Sequence, residues 1–87
     1  MTEEEKKFSK QLLGKTVVTK SGKKFGEIGN ITFETRTGEL IQLILKNTTP
    51  YIDNLNLEKD NTGSILIPFS SVIAIGDFVV VSEEDII

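Results

Sequence analysis

The chain has 87 residues, and its 10 Lys and Arg against 13 Asp and Glu give a formal net charge of -3. This length suits a single small domain. Cysteine and histidine are absent, which excludes disulfides, thiolate or imidazole metal sites, a cysteine nucleophile and a Ser-His-Asp triad. No apolar run approaches the roughly 20 residues that span a bilayer, and the N-terminus lacks the order of a signal peptide. We therefore expect a cytoplasmic protein without membrane insertion.

Residues 1–10 are predicted to form a short N-terminal helix or a flexible tail. Thr2 and Glu5 have the spacing of a capping box, and Gly14 suits the position just after the end of a helix. A helix this short is marginal on its own and needs to dock on the rest of the domain. A helix start at Ser9 is the alternative, and it leaves the preceding residues as a tail.

From residue 15 the pattern favours strands, because β-branched and aromatic residues recur in short runs separated by turn residues. The predicted strands are residues 16–19, 24–34, 39–46, 63–68, 72–75 and 78–81. Ile28 breaks the alternation of the second strand between Gly26 and Gly29, so we expect a β-bulge or a sharp bend near Gly29. Gly76 and Asp77 predict a two-residue type II′ turn between the last two strands. Six short strands at close spacing predict a mainly all-β fold, a small six-stranded barrel with a short N-terminal helix.

Two stretches of the sequence carry a family pattern. Residues 12–31 (LLGKTVVTKSGKKFGEIGNI) and residues 67–81 (IPFSSVIAIGDFVVV) resemble the opening and the closing strands of a PRC-barrel domain. The first stretch matches the family pattern at Gly14, Val17, Gly22, Gly26 and Ile28. It departs from the pattern at Asn30 and Glu34, where aspartate is common. The resemblance implies a PRC-barrel domain over residues 11–81, with a variable loop insertion at 47–62 and an acidic C-terminal tail at 82–87.

PRC-barrel domains serve as docking modules, so the resemblance implies a non-enzymatic adaptor that holds no cofactor. Free-standing archaeal members similar to this chain act in cell division based on FtsZ, by binding the membrane anchor SepF. The resemblance therefore implies SepF or a paralogous PRC-barrel protein as the partner, and recruitment to the division site. The domain also occurs in the ribosome-maturation factor RimM, so a ribosome- or RNA-associated assembly factor is the alternative. The net acidic charge argues against direct binding of nucleic acid.

The third predicted strand, residues 39–46, has more apolar residues than one barrel face can bury. Alternation places Leu40, Gln42 and Ile44 on the outer face. The inward set is then Ile41, Leu43 and Leu45. The outward apolar residues need a cover, which the N-terminal helix, the loop at 51–57 or a second copy of the chain can supply. Because a symmetric dimer buries one patch on both copies, we predict a homodimer whose interface includes Leu40, Gln42 and Ile44.

The long segment between the third and fourth strands is a second candidate binding site. Tyr51, Ile52, Leu55 and Leu57 are apolar residues in a stretch otherwise rich in Asn, Thr and Asp. They predict either a partner-binding loop, since loops carry function and Tyr is common at interfaces, or a lid packed on its own barrel. The acidic tail is expected to be frayed, as short tails commonly are.

Lys20, Lys23 and Lys24 cluster around the first hairpin turn. They form a candidate anion patch, although lysines also protect the edges of hairpins from pairing with other chains. We favour the protective role, because a patch that binds RNA usually includes exposed aromatic side chains. The segment that begins at Asp53 is not a calcium loop, because Leu57 stands where an oxygen ligand is required. The sequence predicts no catalytic, cofactor or metal site.

Overall fold

The structure is a computed structural model, and it describes residues 10–86. All six predicted strands are present, as β1 to β6. Their bounds are β1 Thr16–Thr19, β2 Lys24–Phe33, β3 Leu40–Lys46, β4 Leu66–Pro68, β5 Val72–Ile75 and β6 Phe78–Val81. Residues 10–12 are helical, while the rest of the predicted helix or tail lies outside the described residues. The prediction of a mainly β fold with six strands is confirmed.

The six strands form one sheet in the order β4-β3-β2-β1-β6-β5. Neighbouring strands are antiparallel, except that β1 and β6 run parallel. In a flat sheet, β4 and β5 would lie five spacings apart, or about 24 Å. Only the 3₁₀ turn Phe69–Ser71 connects these two strands, and three residues with a rise of about 2 Å each do not cross that distance. The sheet is therefore curled into a barrel-like shape.

The concave side of the sheet encloses the apolar core. The buried core residues are Leu12, Val17, Phe25, Ile28, Leu43, Leu45, Ile52, Leu57, Ile65, Ile67, Val79 and Val81. The inward orientation predicted for Leu43 and Leu45 is thus confirmed. Leu12, at the end of the helix, is fully buried, and Gly14 follows with a φ of 84° that ends the helix. The backbone N–H of Gly14 donates to the carbonyl of Ile28 at 2.8 Å, which fixes the start of the sheet against β2.

Local irregularities mark the strands. The ladder between β2 and β3 shifts register at Gly29, so the predicted bulge is confirmed. β4 is shorter than the predicted strand at 63–68, because a turn occupies the first residues of that segment. The carboxylate of Asp60 accepts a hydrogen bond from the backbone N–H of Ser64 at 2.9 Å, and Gly63 has a φ of 86°. A strand cannot begin until this turn ends.

The hairpin between β5 and β6 differs from the predicted type II′ turn. Ile75 pairs with Val79, so three residues rather than two lie between the last paired positions. Gly76 is not among the described glycines with a positive φ, which a type II′ turn requires at this position. Instead, the N–H of Gly76 donates to the carbonyl of Phe78 at 2.9 Å. The prediction of a two-residue turn is therefore wrong.

The long connection between β3 and β4 packs along the barrel. It contains the 3₁₀ turn Pro50–Asn54. Its last part runs beside β4, where the N–H of Leu66 donates to the carbonyl of Glu58 at 2.9 Å and Lys59 forms a bridge with Ile65. This segment therefore covers the outer edge of β4.

Candidate interaction surface

The predicted dimer interface lies on β3, which has β2 on one side and β4 on the other. Leu40, Gln42 and Ile44 are half-buried. Leu40 packs against the core, whereas Ile41, which alternation directs inward, is 42% exposed. The cause is an irregularity in the pairing with β2, which skips Ile41, since one extra residue in a strand exchanges its two faces. The predicted orientations of Leu40 and Ile41 are therefore wrong.

The predicted partner-binding loop is packed on its own sheet. Ile52 and Leu57 belong to the core, so their side chains are not accessible to a partner. Tyr51 and Leu55 are half-buried and pack against the same core. The exposed residues of this segment include the polar Asp53, Asn54 and Asn56. Binding of a partner by this loop stays a prediction, and it would use these polar side chains.

Tyr51 connects this loop to two other parts of the chain. Its ring centroid lies 5.9 Å from that of Phe25, and the Lys23 ammonium lies 5.9 Å from the same Tyr51 centroid, within reach of a cation–π interaction. Its hydroxyl donates to the Glu83 carboxylate at 2.5 Å. That hydrogen bond, together with burial and the negative charge of Glu83, raises the pKa of the Tyr51 hydroxyl above 10.0. Tyr51 thus holds the C-terminal segment against the loop.

The predicted acidic tail, residues 82–87, is docked over its described part. Ser82 is buried, Glu83–Asp85 form a 3₁₀ turn, and Ile86 packs against the core. The expectation that this tail is frayed is therefore wrong for residues 82–86. Ile86 and the hydrogen bond from Tyr51 to Glu83 attach it to the rest of the domain.

The candidate anion patch is not purely cationic. Lys20, Lys23 and Lys24 are all exposed. Glu83 and Glu84 line the same small surface cavity as Lys20, so two carboxylates lie on this part of the surface. Opposite charges this close weaken the positive potential that would attract an anion. The arrangement suits lysines that act as solubilising charges.

Three of the five large apolar side chains that are exposed among residues 10–86 lie on the β5–β6 hairpin. Every residue from 73 to 78 is exposed, with Ile73 at 49%, Ile75 at 40% and Phe78 at 54%. These residues are not among the predicted site residues. The sequence does not mark them as exposed: Asp77 is the single charged residue between positions 70 and 81, and the same uncharged stretch contains the buried Val79 and Val81.

The exposed apolar surface continues from the hairpin onto the convex side of the sheet. Phe78 lies opposite Thr16, and Val80 lies opposite Val18, in the parallel pairing of β6 with β1. The residues that alternate with Phe78 and Val80 along β6 are buried, so these two side chains point away from the core. An open groove here is lined by Thr16, Val18, Gly22, Lys24 and Phe78.

Three further features concern metal ligands, buried polar atoms and long apolar helices within residues 10–86. Between residues 10 and 86, no group of three or more acidic side chains is placed to hold a metal ion. Every buried polar side-chain atom in the same range has a hydrogen-bond partner. No helix within the described part is both long and apolar enough to cross a bilayer.

Comparison with known proteins assigns the family. A search of curated proteins found no match. The family model described as PRC-barrel domain matches residues 4–85. The match extends beyond the two stretches that resemble this family in sequence, and it includes β1 to β6 and residues 82–85 of the tail. The curled six-stranded sheet and the length of this match together show that the chain belongs to the PRC-barrel domain family.

Proposed function

We propose that this chain is a non-enzymatic adaptor, a homodimer that binds SepF in archaeal cell division based on FtsZ. PRC-barrel domains are in general non-catalytic, and the family match covers all six strands. The observation that carries the proposal is the exposed apolar surface at Ile73, Ile75 and Phe78. Water does not favour such a cluster on a monomer, so a second polypeptide that covers it explains why it is there.

The proposed homodimer needs an apolar surface that two copies share. The sequence-predicted surface on β3 is a candidate, but it offers less than its composition suggests. Leu40 is turned toward the core, and Ile44 lies opposite Leu66, which is itself buried. The β5–β6 hairpin offers more exposed apolar side chain than this face of β3.

The oligomeric state tests the first part of the proposal. Size-exclusion chromatography with light scattering is expected to give twice the chain mass of 9.6 kDa at micromolar concentration. A mass of one chain over the whole accessible concentration range would contradict the homodimer. The adaptor role would then have to rest on a monomer.

Binding to SepF tests the second part, and it requires purified proteins. Titration of this chain with archaeal SepF in a calorimeter is expected to show saturable binding. The same titration with small ribosomal subunits or RNA serves as the comparison, since a RimM-like assembly factor is the alternative. Binding to ribosomal particles without binding to SepF would contradict the cell-division role and favour the alternative.

The lysine cluster provides the variant that separates these two outcomes. Replacing Lys20 and Lys23 together by Gln weakens the cationic patch without touching the core or the groove beside Phe78, because both side chains are exposed and Lys24, which lines that groove, is kept. Binding to a protein through an apolar surface is expected to survive this change. RNA binding, which depends on neutralised phosphates, is expected to fall and to lose its salt dependence.

A further inference from the structure

We propose that the open groove on the convex side of β1 binds a segment of a partner protein in which a large apolar side chain lies next to an acidic one. This groove, which we name the β1 groove, is lined by Thr16, Val18, Gly22, Lys24 and Phe78. The inference rests on the proposed function, since it gives the chemistry of the segment that the proposed adaptor binds. It makes no use of Ile73 and Ile75.

A row of side chains crosses the convex side of the sheet and passes through the β1 groove. Val80 lies opposite Val18 in the pairing of β6 with β1, and opposite Ala74 in the pairing of β6 with β5. On its other side, Val18 lies opposite Lys24 of β2. Because directly opposed residues project from the same face of a sheet, the row is apolar across three strands and ends in one lysine.

The β1 groove has room for a large apolar side chain. Its volume is about 450 Å³, within the range of about 300–1,000 Å³ that is usual for ligand pockets. Phe78, which is 54% exposed, precedes Val80 by two residues and projects from the same face. Toward the turn between β1 and β2, a Cβ built on Gly22 would meet no atom within 4 Å, so the groove is open there. An apolar side chain placed in the groove would remove Phe78 and Val18 from water.

Lys24 gives the β1 groove its charge. It is the one charged residue among those that line the groove, and its side chain is exposed. Within residues 10–86, the Lys24 ammonium has neither an ion-pair partner nor a hydrogen-bond partner. A carboxylate on the bound segment would supply that partner, since a lysine and a carboxylate form a charge-assisted hydrogen bond. The groove thus favours an acidic residue beside the apolar one.

Glu27 of β2 lies near the groove but does not cancel this charge. It lies opposite Thr16 in the pairing with β1. Its carboxylate accepts a hydrogen bond from the Asn47 side chain at 2.7 Å, and Lys46 lies opposite it in the pairing with β3. Glu27 is therefore engaged on the side of β2 that faces away from the groove.

The hairpin turn adds one charge of each sign. Asp77 is exposed in the turn, and the Lys15 ammonium donates to the carbonyl of the neighbouring Gly76. These two charges lie close to each other, so their fields largely offset one another at a distance. Lys24 remains as the charge that a bound segment has to match.

A second copy of the chain suits this surface less well than an acidic segment does. A twofold axis at the groove would bring Lys24 of one copy against Lys24 of the other. Pairing at the strand edges is also disfavoured, because β5 has four residues and a register shift at Ile73, and β4 contains Pro68. Short strands, bulges and proline protect an edge from pairing with another chain. We therefore expect binding through side chains on the convex face rather than by addition of a strand.

An anionic membrane also attracts surfaces that combine apolar and cationic side chains. The net charge of -3 opposes the approach of this chain to such a membrane. Asp77 opposes it further, since it lies at the turn of the exposed hairpin. A short protein segment avoids both costs, because it contacts the groove alone.

Peptide probes test the chemistry of the occupant without the use of SepF. The probe peptide has one Phe between two Glu residues, with Gly and Ser on either side, and the control peptide has Lys in place of both Glu residues. In an NMR titration of the full chain, the probe is expected to shift the amide signals of Val18, Gly22 and Lys24. It is expected to bind about tenfold more tightly than the control, because it gains a charge-assisted hydrogen bond. Equal affinities, or no shift in this groove at millimolar probe, would overturn the inference.

Substitutions test the charged and the apolar part of the groove separately. Lys24→Glu is expected to weaken binding of the probe at least about tenfold, whereas Lys24→Arg keeps the charge and is expected to keep the binding. Phe78→Ser is expected to weaken it through the lost apolar contact. Lys23→Glu is the matched control, since it makes the same change of charge at an exposed neighbour whose ammonium lies over the Tyr51 ring. Circular dichroism verifies that each variant is folded, and a loss in Lys23→Glu with none in Lys24→Glu would overturn the inference.

Titration with SepF separates this inference from the proposed function. If SepF binds the unmodified chain and Lys24→Glu equally well, the proposed function stands and the groove is overturned as its site. If the probe peptide binds in the groove and SepF does not bind, the acidic and apolar specificity stands and the partner named in the proposed function is wrong. Vesicles that contain phosphatidylglycerol are the last comparison. Binding of these vesicles through Lys24, without binding of the probe peptide, would assign the groove to a membrane and overturn the inference.

Discussion

Gly26 lies in β2 at a point where no side chain fits. A Cβ built on Gly26 would lie 3.0 Å from the carbonyl oxygen of Lys46 and 3.1 Å from the Cα of Thr48. Both of these atoms belong to the backbone, so a rotamer change cannot relieve the contact. Gly29 is three residues further along the same strand, and a Cβ there would meet the side chain of Lys46 at 3.1 Å. The contacting atoms of Lys46 are its Cβ, Cγ and Cδ. Because Lys46 is exposed, its Cγ and Cδ can rotate into solvent, whereas its Cβ is held by the backbone.

This difference predicts unequal effects of two identical substitutions. Gly26→Ala is expected to lower the free energy of unfolding by about 1–3 kcal/mol, because the backbone of β3 must shift to accommodate the methyl group. Gly29→Ala is the comparison and is expected to lower the free energy of unfolding by less than Gly26→Ala does, because two of its three contacts are with side-chain atoms that can rotate away. Urea denaturation followed by circular dichroism measures both values. Equal losses for the two variants would show that the backbone contact at position 26 is not what matters.

Tyr51 allows a pH measurement on a single group, because the chain contains one tyrosine and no tryptophan. Its hydrogen bond to Glu83 raises the pKa of the phenol above 10.0. A raised pKa means that the folded state holds the proton more tightly than the unfolded state does. The stabilisation is therefore present in full below pH 10 and is lost as the pH rises through the folded-state pKa.

The expected result is an ultraviolet titration whose midpoint lies above pH 10 in the folded chain. Glu83→Gln removes the negative charge while keeping a hydrogen-bond acceptor, so it is expected to move the midpoint down toward the value of unfolded tyrosine. The same titration in concentrated urea gives that reference value. A midpoint that does not respond to Glu83→Gln would contradict the link between the loop and the C-terminal segment.

At the scale of elements, the helix that ends at Leu12 is attached to the barrel by one buried side chain within the described residues. Leu12 is fully buried, while its neighbour Leu13 is 46% exposed. Leu12→Ala is expected to cost about 2–5 kcal/mol, through lost burial and the cavity left behind. Leu13→Ala, with the same chemistry, is expected to change stability by less than about 0.5 kcal/mol. Thermal unfolding gives the midpoint temperature of each variant. Similar midpoints for the two variants would contradict docking through Leu12.

The strands could be located from the sequence because each has a run of apolar residues bounded by turn residues. The faces of the strands could not all be assigned. A period of two assumes continuous pairing, and one extra residue exchanges the faces beyond it. The irregularity at Gly29 could be predicted, because a glycine inside a strand often marks a β-bulge. The irregularity at Ile41 involves an ordinary strand residue, so nothing in the sequence marks it.

The connecting segments were harder to predict for a different reason. Ile52 and Leu57 lie in a segment rich in Asn, Asp and Thr, and Ile86 follows a run of three acidic residues. Their local pattern is therefore that of a loop or a tail. Their burial depends on the curvature of the sheet, which brings the core within their reach. Such tertiary contacts are not encoded in any short window of sequence. For the same reason, the exposure of Ile73 and Ile75 could not be distinguished from the burial of Val79 and Val81 by composition.

At the scale of the whole molecule, the exposed apolar surface at Ile73, Ile75 and Phe78 predicts how the proposed homodimer responds to salt. Raising the salt concentration from about 50 mM to about 500 mM shortens the screening length severalfold. An apolar interface between two copies of a chain with a charge of -3 is expected to hold or to strengthen, because their mutual repulsion is screened. Analytical ultracentrifugation at the two salt concentrations measures the change. A dimer that dissociates at high salt would instead indicate an interface built from ion pairs.

The parallel pairing of β1 with β6 joins residues that are far apart along the chain, since Thr16 lies opposite Phe78. Its contacts have a large sequence separation, and such contacts slow folding. During synthesis, β1 leaves the ribosome long before its neighbour β6 has been made. The nascent polypeptide is therefore expected to leave β1 unpaired on this side until β6 has emerged from the ribosome. Chaperones that bind exposed strands are expected to recognise this partly formed sheet. A chain truncated before β6 is expected not to complete the sheet.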